Sequence, residues 1–180
     1  MKTNTRLRIV ISISCALLLL IASHPRSAVA DSGAPSLPNV QLSATRGVPR
    51  ELEDLTRQKM LRDYALAWQT LATAIQQNRP GLVAEYFTGF ANKEFSKSIK
   101  EQAASGIHRQ YVDHGHKLEL IFYSPDGGVM QLWDNADYEV QTFDGTKLIH
   151  TEHAPVRLLV LMTPGADRWM VRLMQDVPAS

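Results

Sequence analysis

The chain has 180 residues, with 19 basic side chains against 18 acidic ones and a single cysteine, Cys15. Four of the basic residues and none of the acidic ones lie in residues 1–30, so residues 31–180 carry 15 minus 18, a formal charge of −3. That charge argues against a nucleic-acid partner and against a basic membrane-binding surface. Beyond Cys15 the chain has no thiol, which excludes disulfides, cysteine nucleophiles and thiolate metal ligands there.

Residues 1–30 have the three-part pattern of a secretory signal peptide. A basic start is followed by a 14-residue apolar run at residues 9–22, and the segment ends in Ala28-Val29-Ala30. The apolar run is shorter than the roughly 20 residues that a membrane-spanning helix needs, although an uncleaved anchor remains the alternative. We therefore expect cleavage after Ala30, no membrane span afterwards, and export to the periplasm or the cell exterior.

The next segment, residues 31–48, contains two prolines, two glycines and three serines. This composition predicts a flexible spacer, followed by a single domain over residues 49–180. Apolar residues from Leu52 to Ile75 recur mostly at intervals of three and four, which predicts a first helix that ends before Pro80. A short second helix is predicted over residues 82–87. A third is predicted from an N-cap at Asn92 to Gly106.

After Gly106 the sequence is typical of strands. Four segments are predicted, at residues 117–124, 129–143, 147–162 and 168–177, and Asp144-Gly145 predicts a tight hairpin turn. Pro155 must lie at a bulge, a bend or an edge because it cannot donate to a strand ladder. The order of elements predicts an α+β fold, in which N-terminal helices pack against a strongly bent antiparallel sheet of about four strands.

The segments YALAWQTLATAI (residues 64–75), TFDGTK, and APVRLLVLM paired with RWMVRLM resemble the nuclear-transport-factor-2-like superfamily. This is the cone-shaped fold of ketosteroid isomerases and SnoaL-type cyclases. In element order the sequence is most similar to the non-enzymatic branch that includes a peripheral subunit of the mitochondrial inner-membrane translocase. The resemblance covers residues 52–177 and concerns the fold, so function must be argued from the site.

The resemblance also implies a candidate enzyme site, because isomerases of this fold use a first-helix tyrosine and two acids on or near the sheet. Tyr64 lies on the first helix, and Asp134 and Asp137 lie in the second predicted strand. Strand parity places these two acids on opposite faces, which argues against a paired-carboxylate site. We therefore expect Tyr64 to pack in the core and assign no catalytic residue and no cofactor. The residues predicted to line a pocket are Tyr64, Trp68, Trp133 and His150.

Three potential metal ligands, Asp113, His114 and His116, occur within four residues. Residues two apart in a strand share a face, so the two histidines could share a metal with a third ligand such as His108, His150 or His153. Gly115 between them makes a turn equally compatible, and an isolated H-x-H is a weak signal. We expect a solvated polar entrance to the strand and no metal site.

The last predicted strand carries methionines beside arginines, a combination found at adaptable protein interfaces. The sequence thus favours an exported, non-catalytic binding or assembly domain whose partner is an unidentified protein, a small apolar ligand or a second copy in a homodimer. The alternatives are a small-molecule pocket protein or isomerase-like enzyme that uses Tyr64 with a strand acid or histidine, and a histidine-based metal binder. The predicted interaction face comprises Arg168, Met170, Arg172 and Met174.

Overall fold

The computed structural model of the protein describes residues 36–45 and 47–177. The predicted signal peptide at residues 1–30 and its cleavage point lie outside these described residues. Among the described helices, none is long and apolar enough to cross a membrane.

The described elements form an α+β fold, as predicted. The sheet has five strands in the order β1-β2-β3-β4-β5, where β1 runs parallel to β2 and all other neighbours are antiparallel. In chain order the elements are β1 (Val40–Thr45), α1 (Asp54–Gln76), a 3₁₀ helix (Pro80–Glu85), α2 (Gly89–Ser105), β2 (Ile107–Tyr123), β3 (Met130–Asp144), β4 (Lys147–Pro164) and β5 (Trp169–Asp176).

Strand β1 corrects the spacer predicted over residues 31–48. Val40–Thr45 alternates between half-buried and exposed positions, and Val40 and Leu42 pack against the core while the strand pairs with β2. This period of two is the pattern of a half-buried strand. The strand has only six residues, and prolines and glycines lie on either side of it. The composition of residues 31–48 therefore did not reveal the strand. The fifth strand accounts for the difference from the predicted count of about four.

The helices follow the predicted order with shifted ends. Helix α1 ends at Gln76, before Pro80. Helix α2 ends at Ser105 and is capped by Gly106, whose φ of +74° is the left-handed conformation expected of a glycine that follows a helix. Helix α2 begins at Gly89 with Thr88 as its N-cap, earlier than the predicted N-cap at Asn92. The Asn92 side chain instead donates to the Phe87 carbonyl.

Helix α1 packs one side against the sheet, and the face of the sheet that it covers is called the inner face below. The buried stripe of α1 meets inner-face residues of the central strands, such as Leu118 on β2, Leu132 on β3 and Val160 on β4. At about 0.8 kcal/mol for each buried methylene, these contacts dominate the stability of the fold. The stripe consists of Tyr64, Ala67, Trp68, Leu71, Ala74 and Ile75.

A bulge in β2 determines which side chains enter this interior. Asp113 pairs with Tyr138 but Gly115 pairs with Asp137, so β2 contains one extra residue at this point. Gly115 has a φ of +134°, a conformation that side-chain-bearing residues rarely adopt. Because of the extra residue, Asp113 and His116 both face inward although they are three positions apart, and His114 lies on the opposite, outer face.

Proline 155 lies where one side of β4 has no neighbouring strand. Among the described residues, β5 pairs with β4 only over Leu158–Pro164, whereas the β3–β4 register continues through the pair Asp137–Pro155. This agrees with the predicted edge position of the proline.

We expect Gly115→Ala to lower the free energy of unfolding by about 1–3 kcal/mol, because the new side chain is strained at this φ. The new Cβ would lie 3.5 Å from the Asn39 carbonyl oxygen, an ordinary contact, so strain and not collision causes the loss. Urea unfolding followed by tryptophan fluorescence measures it. Gly81→Ala is the matched control, since its Cβ meets nothing within 4 Å and its φ is not positive. Equal effects of the two substitutions would contradict this account of the bulge.

Candidate functional site

Four side chains form a continuous hydrogen-bonded network in the interior, which we call the buried network: Tyr64, His116, Asp134 and Asp113. The Tyr64 hydroxyl donates to Asp134 Oδ2 at 2.7 Å, and His116 Nδ1 lies 2.8 Å from the same oxygen. On the other side of the imidazole, Nε2 lies 2.7 Å from Asp113 Oδ2. The network therefore connects α1, β2 and β3.

The geometry assigns a proton to each ring nitrogen of His116. Both nitrogens face carboxylate oxygens, and an ionised carboxylate can only accept a hydrogen bond, so both nitrogens must donate. Burial lowers the pKa of His116, but the hydrogen bonds and charges of Asp113 and Asp134 outweigh burial and raise this pKa to about 9. His116 is therefore an imidazolium at neutral pH.

The network is sealed from solvent except at one end. Tyr64 and Asp134 have no exposed surface, and the His116 side chain is equally inaccessible, whereas the Asp113 side chain is 27% exposed. Burial, and then the charge of Asp134, raises the pKa of the Tyr64 hydroxyl well above its usual value, so it stays protonated. The Trp68 ring lies over His116 with 4.5 Å between ring centroids and shields it further.

Burying a carboxylate or an imidazolium alone costs several kcal/mol, and this cost is recovered only when partners satisfy the charge. Oδ2 of Asp134 accepts two hydrogen bonds, whereas Oδ1 is buried and has no hydrogen-bond partner among the described residues. Removal of any one member would leave a buried charge or donor unsatisfied. Each member of the network therefore needs the others to stay in place.

A cleft adjoins the exposed end of the network, and we call it the aromatic cleft. It has a volume of about 240 Å³ and is bordered by Asp113 together with the rings of Trp68, Tyr111 and Tyr138. Ser36 and Pro38, at the start of the described chain, form part of its rim, as do Gln69 and Ala72 of α1.

A larger concavity, which we call the polar groove, has a volume of about 690 Å³. It lies across the outer face of the central strands, where His114, Lys117 and Arg157 meet Asp137. Nearby, His153 Nε2 lies 2.6 Å from Asp137 Oδ1, and the rings of His114 and His153 are 6.0 Å apart. Asn39, Gln41, Asn135 and Asp176 also line the groove.

The structure separates the residues predicted to line a pocket. Tyr64 and Trp68 adjoin each other at the buried network, but only Trp68 borders the aromatic cleft. Trp133 lies elsewhere, with the Arg157 guanidinium 4.4 Å above its ring. His150 is exposed on β4 opposite Thr142, so it does not belong with the other three. Parity correctly separated buried Asp134 from exposed Asp137.

The sequence did not reveal the positions of His116 and Asp113 in the network. The predicted solvated strand entrance is correct for His114, which is exposed, but wrong for His116, which is 1% exposed. The H-x-H metal alternative required His114 and His116 to share a face, and the bulge places them on opposite faces. Gly115 between the two histidines is the sequence signal for a bulge, where regular alternation fails.

The predicted interaction face on β5 is also divided by a bulge. Leu173 pairs with Leu161 and Val171 pairs with Met162, so the residue between them is extra. Met174 consequently faces the core and is 9% exposed, which corrects its predicted exposed position. Arg172 is exposed, Met170 is half-buried, and Arg168 lies 5.0 Å from the ring of Tyr86.

Several solved structures are similar to this chain. The intermembrane space region of the chloroplast protein ARC6 is similar to this chain with a TM-score of 0.60 and 11% identity, over 72% of this chain and 100% of that one. A putative dehydratase of the NTF2-like family from Streptomyces avermitilis aligns with a TM-score of 0.47 and 10% identity, over 68% and 99%. ActVI-ORFA from Streptomyces coelicolor aligns with a TM-score of 0.46 and 13% identity, over 64% and 92%.

No protein-family model matches the sequence, and no curated protein matches it either. The likenesses therefore concern the fold alone, and the functional argument has to come from the residues of this chain.

The charged state of His116 predicts a pH-dependent stability. Since its pKa is higher in the folded state, at about 9, than the usual 6.5, its contribution is fully present below pH 6.5 and is lost as the pH rises through 9. We expect the free energy of unfolding to fall by about 3 kcal/mol between pH 6 and pH 10. Urea titrations across this range measure the change.

Two variants serve as references for that profile. Asp113→Asn should flatten it, because one of the two carboxylates that hold the proton on His116 is removed. His153→Gln should leave the profile unchanged, because His153 is an exposed histidine that also contacts an aspartate. A wild-type profile that is flat between pH 6 and pH 10 would contradict the assignment of an imidazolium.

Proposed function

We propose that the protein is an exported, non-catalytic binding domain that contacts a protein partner through the polar groove. The observation that carries this proposal is the sealing of the buried network. An enzyme that used Tyr64 and Asp134 would need to bring substrate within hydrogen-bond distance of them. Both side chains lie behind other residues and border neither the aromatic cleft nor the polar groove.

The polar groove has the chemistry of a protein-contact surface. Its cations, Lys117 and Arg157, lie beside the anions Asp137 and Asp176, and three amide side chains add donors and acceptors. Such a mixed lining suits a polar peptide or protein surface better than a small apolar ligand. The partner is a different protein in this proposal, and a second copy of the chain is the alternative occupant.

Export is supported by the pattern of residues 1–30, and it agrees with the similarity to a region that occupies an intermembrane space. We propose cleavage after Ala30 on the same grounds. We also propose that the chain is related to the non-enzymatic translocase-type branch, as its element order predicts.

A second candidate function is an isomerase-like enzyme, and one observation favours it. Tyr64, His116 and Asp134 are residue types used in acid–base catalysis, and they lie within hydrogen-bond distance of one another. This alternative requires a conformational opening that exposes the Tyr64 hydroxyl. The two candidates therefore differ in what they predict for Tyr64.

We expect a photo-cross-linking amino acid at Asn135, in the polar groove, to capture one discrete protein in the exporting cell, whereas Ser98 on the exposed side of α2 captures none. Lys117→Glu combined with Arg157→Glu should lower the yield at Asn135 at least tenfold, because it reverses the groove cations. The matched control is Lys97→Glu with Lys100→Glu on α2. Wild-type yield in the groove variant would overturn the proposal, and a cross-link between two copies would identify a homodimer instead.

Tyr64→Phe should destabilise the protein by about 1–3 kcal/mol, because Asp134 loses a buried hydrogen bond, but should leave the Asn135 cross-link within twofold of wild type. Ile99→Val, a core substitution that costs about 0.5–1.5 kcal/mol away from the buried network, controls for a general loss of stability. Unfolding curves and cross-link yields are measured on the same preparations. A loss of yield in Tyr64→Phe but not in Ile99→Val would show that the groove contact depends on Tyr64 and would contradict the proposal.

A further inference from the structure

The aromatic cleft presents three aromatic rings and a carboxylate to one small volume. The centroids of the Trp68 and Tyr138 rings are 5.6 Å apart, and those of Tyr111 and Tyr138 are 5.2 Å apart with their planes at 66°. The rings therefore form a continuous and angled wall. Asp113 borders the same cleft from β2, where its Oδ2 accepts the hydrogen bond from His116.

The charge behind this wall is negative. The buried network contains two aspartates and one imidazolium, so its formal charges of −2 and +1 sum to −1. Its exposed end is Asp113, at the cleft. A cation in the cleft would therefore neutralise a charge that the interior leaves uncompensated.

Carboxylates near Tyr138 act in the same direction. Burial first, then Tyr111 and the carboxylates of Asp176, Asp134 and Glu152, raise the pKa of Tyr138 to about 12. Arg109, two positions before Tyr111 on β2, acts in the opposite direction and partly offsets the rise that burial causes in the pKa of the Tyr111 hydroxyl. The cleft is thus negative at its Asp113 and Tyr138 side.

The lining selects the kind of cation. A hydrated metal ion needs several oxygen or nitrogen ligands, and no group of three or more such side chains among the described residues is arranged to hold one. Aromatic faces instead attract a weakly hydrated organic cation, through the negative potential of the ring face and contact with its methyl groups. A volume of about 240 Å³ admits a small ligand of this kind.

We infer that the aromatic cleft binds a small alkylammonium group, with Trp68, Tyr111 and Tyr138 around its methyl groups and the Asp113 carboxylate beside its charge. The group could belong to a free metabolite or to a methylated lysine of a polypeptide, since both present the same chemistry. The cleft lies on the inner side of the sheet and the polar groove on the outer side. This inference is therefore independent of the proposed protein contact.

Calorimetric titration of the purified protein with choline tests the charge requirement directly. The matched neutral compound is 3,3-dimethylbutan-1-ol, which has the shape of choline with carbon in place of the charged nitrogen. We expect saturable binding of choline and at least tenfold weaker binding of the alcohol. Equal affinities, or no heat from choline at millimolar concentration, would overturn the inference.

Substitutions place the binding in the cleft. Asp113→Asn and Tyr138→Leu should each weaken choline binding at least tenfold, whereas Tyr86→Leu should not change it, although Tyr86 also carries a cation over its ring. Urea unfolding establishes that each variant is folded. If Asp113→Asn does not fold, Tyr111→Leu replaces it, because Tyr111 lies outside the buried network. Wild-type affinity in the folded cleft variants would contradict the site.

A third titration distinguishes the two sources of the group. A glycine-flanked peptide with one trimethyllysine is compared with free choline and with the same peptide carrying unmodified lysine. Tighter binding of the trimethyllysine peptide than of choline identifies a polypeptide side chain as the ligand, and the reverse order identifies a free metabolite. Cross-linking at Asn135 should be unchanged by choline, so failure of this inference and failure of the groove proposal are separable.

Discussion

The imidazolium of His116, held between the carboxylates of Asp113 and Asp134, is the interaction on which the interior of this protein depends. It connects β2 to β3 and, through the Tyr64 hydroxyl, connects both strands to α1. Each member is needed to satisfy another, because an unpaired charge at this depth is far more costly than the paired set. The hydrophobic stripe of α1 supplies most of the stability, but the ionic set fixes how the helix is positioned on the sheet.

The buried network fills space inside the fold that a ligand would otherwise occupy. A sheet that bends around helices creates an interior that can either be left open for a ligand or be filled. Here the position nearest the first-helix tyrosine is filled by the protein's own charged groups and capped by the Trp68 ring. The aromatic cleft and the polar groove both lie outside these filled positions. In the proposed function, recognition takes place at these surfaces and not at the centre of the fold.

The sequence predicted the elements more successfully than their registers. Helical periodicity, Pro80, Gly106 and the Asp144-Gly145 turn determine local structure, and those elements occur as expected. Parity arguments were correct for Asp134 and Asp137, because β3 is regular between them. The same arguments failed where a bulge intervenes.

Two bulges account for the failures. One separates His114 from His116 and brings Asp113 beside His116, and the other turns Met174 into the core. A bulge is fixed by how two strands pair and not by either strand alone, so a single strand's alternation does not reveal it. Strand β1 was not predicted for a related reason. Its six alternating residues gain their stability from pairing with β2, which the segment alone does not show.

The positions of the two ends of the described chain have a practical consequence. Ser36 and Pro38 lie on the rim of the aromatic cleft, and Asp176 and Val177 lie on the rim of the polar groove. A fluorophore on a cysteine substituted for Ser36 would therefore lie beside the aromatic cleft, and one on a cysteine substituted for Val177 would lie beside the polar groove. Because residues 31–180 contain no cysteine, each label would occupy a single position. Occupancy of the two surfaces is then followed separately in one protein.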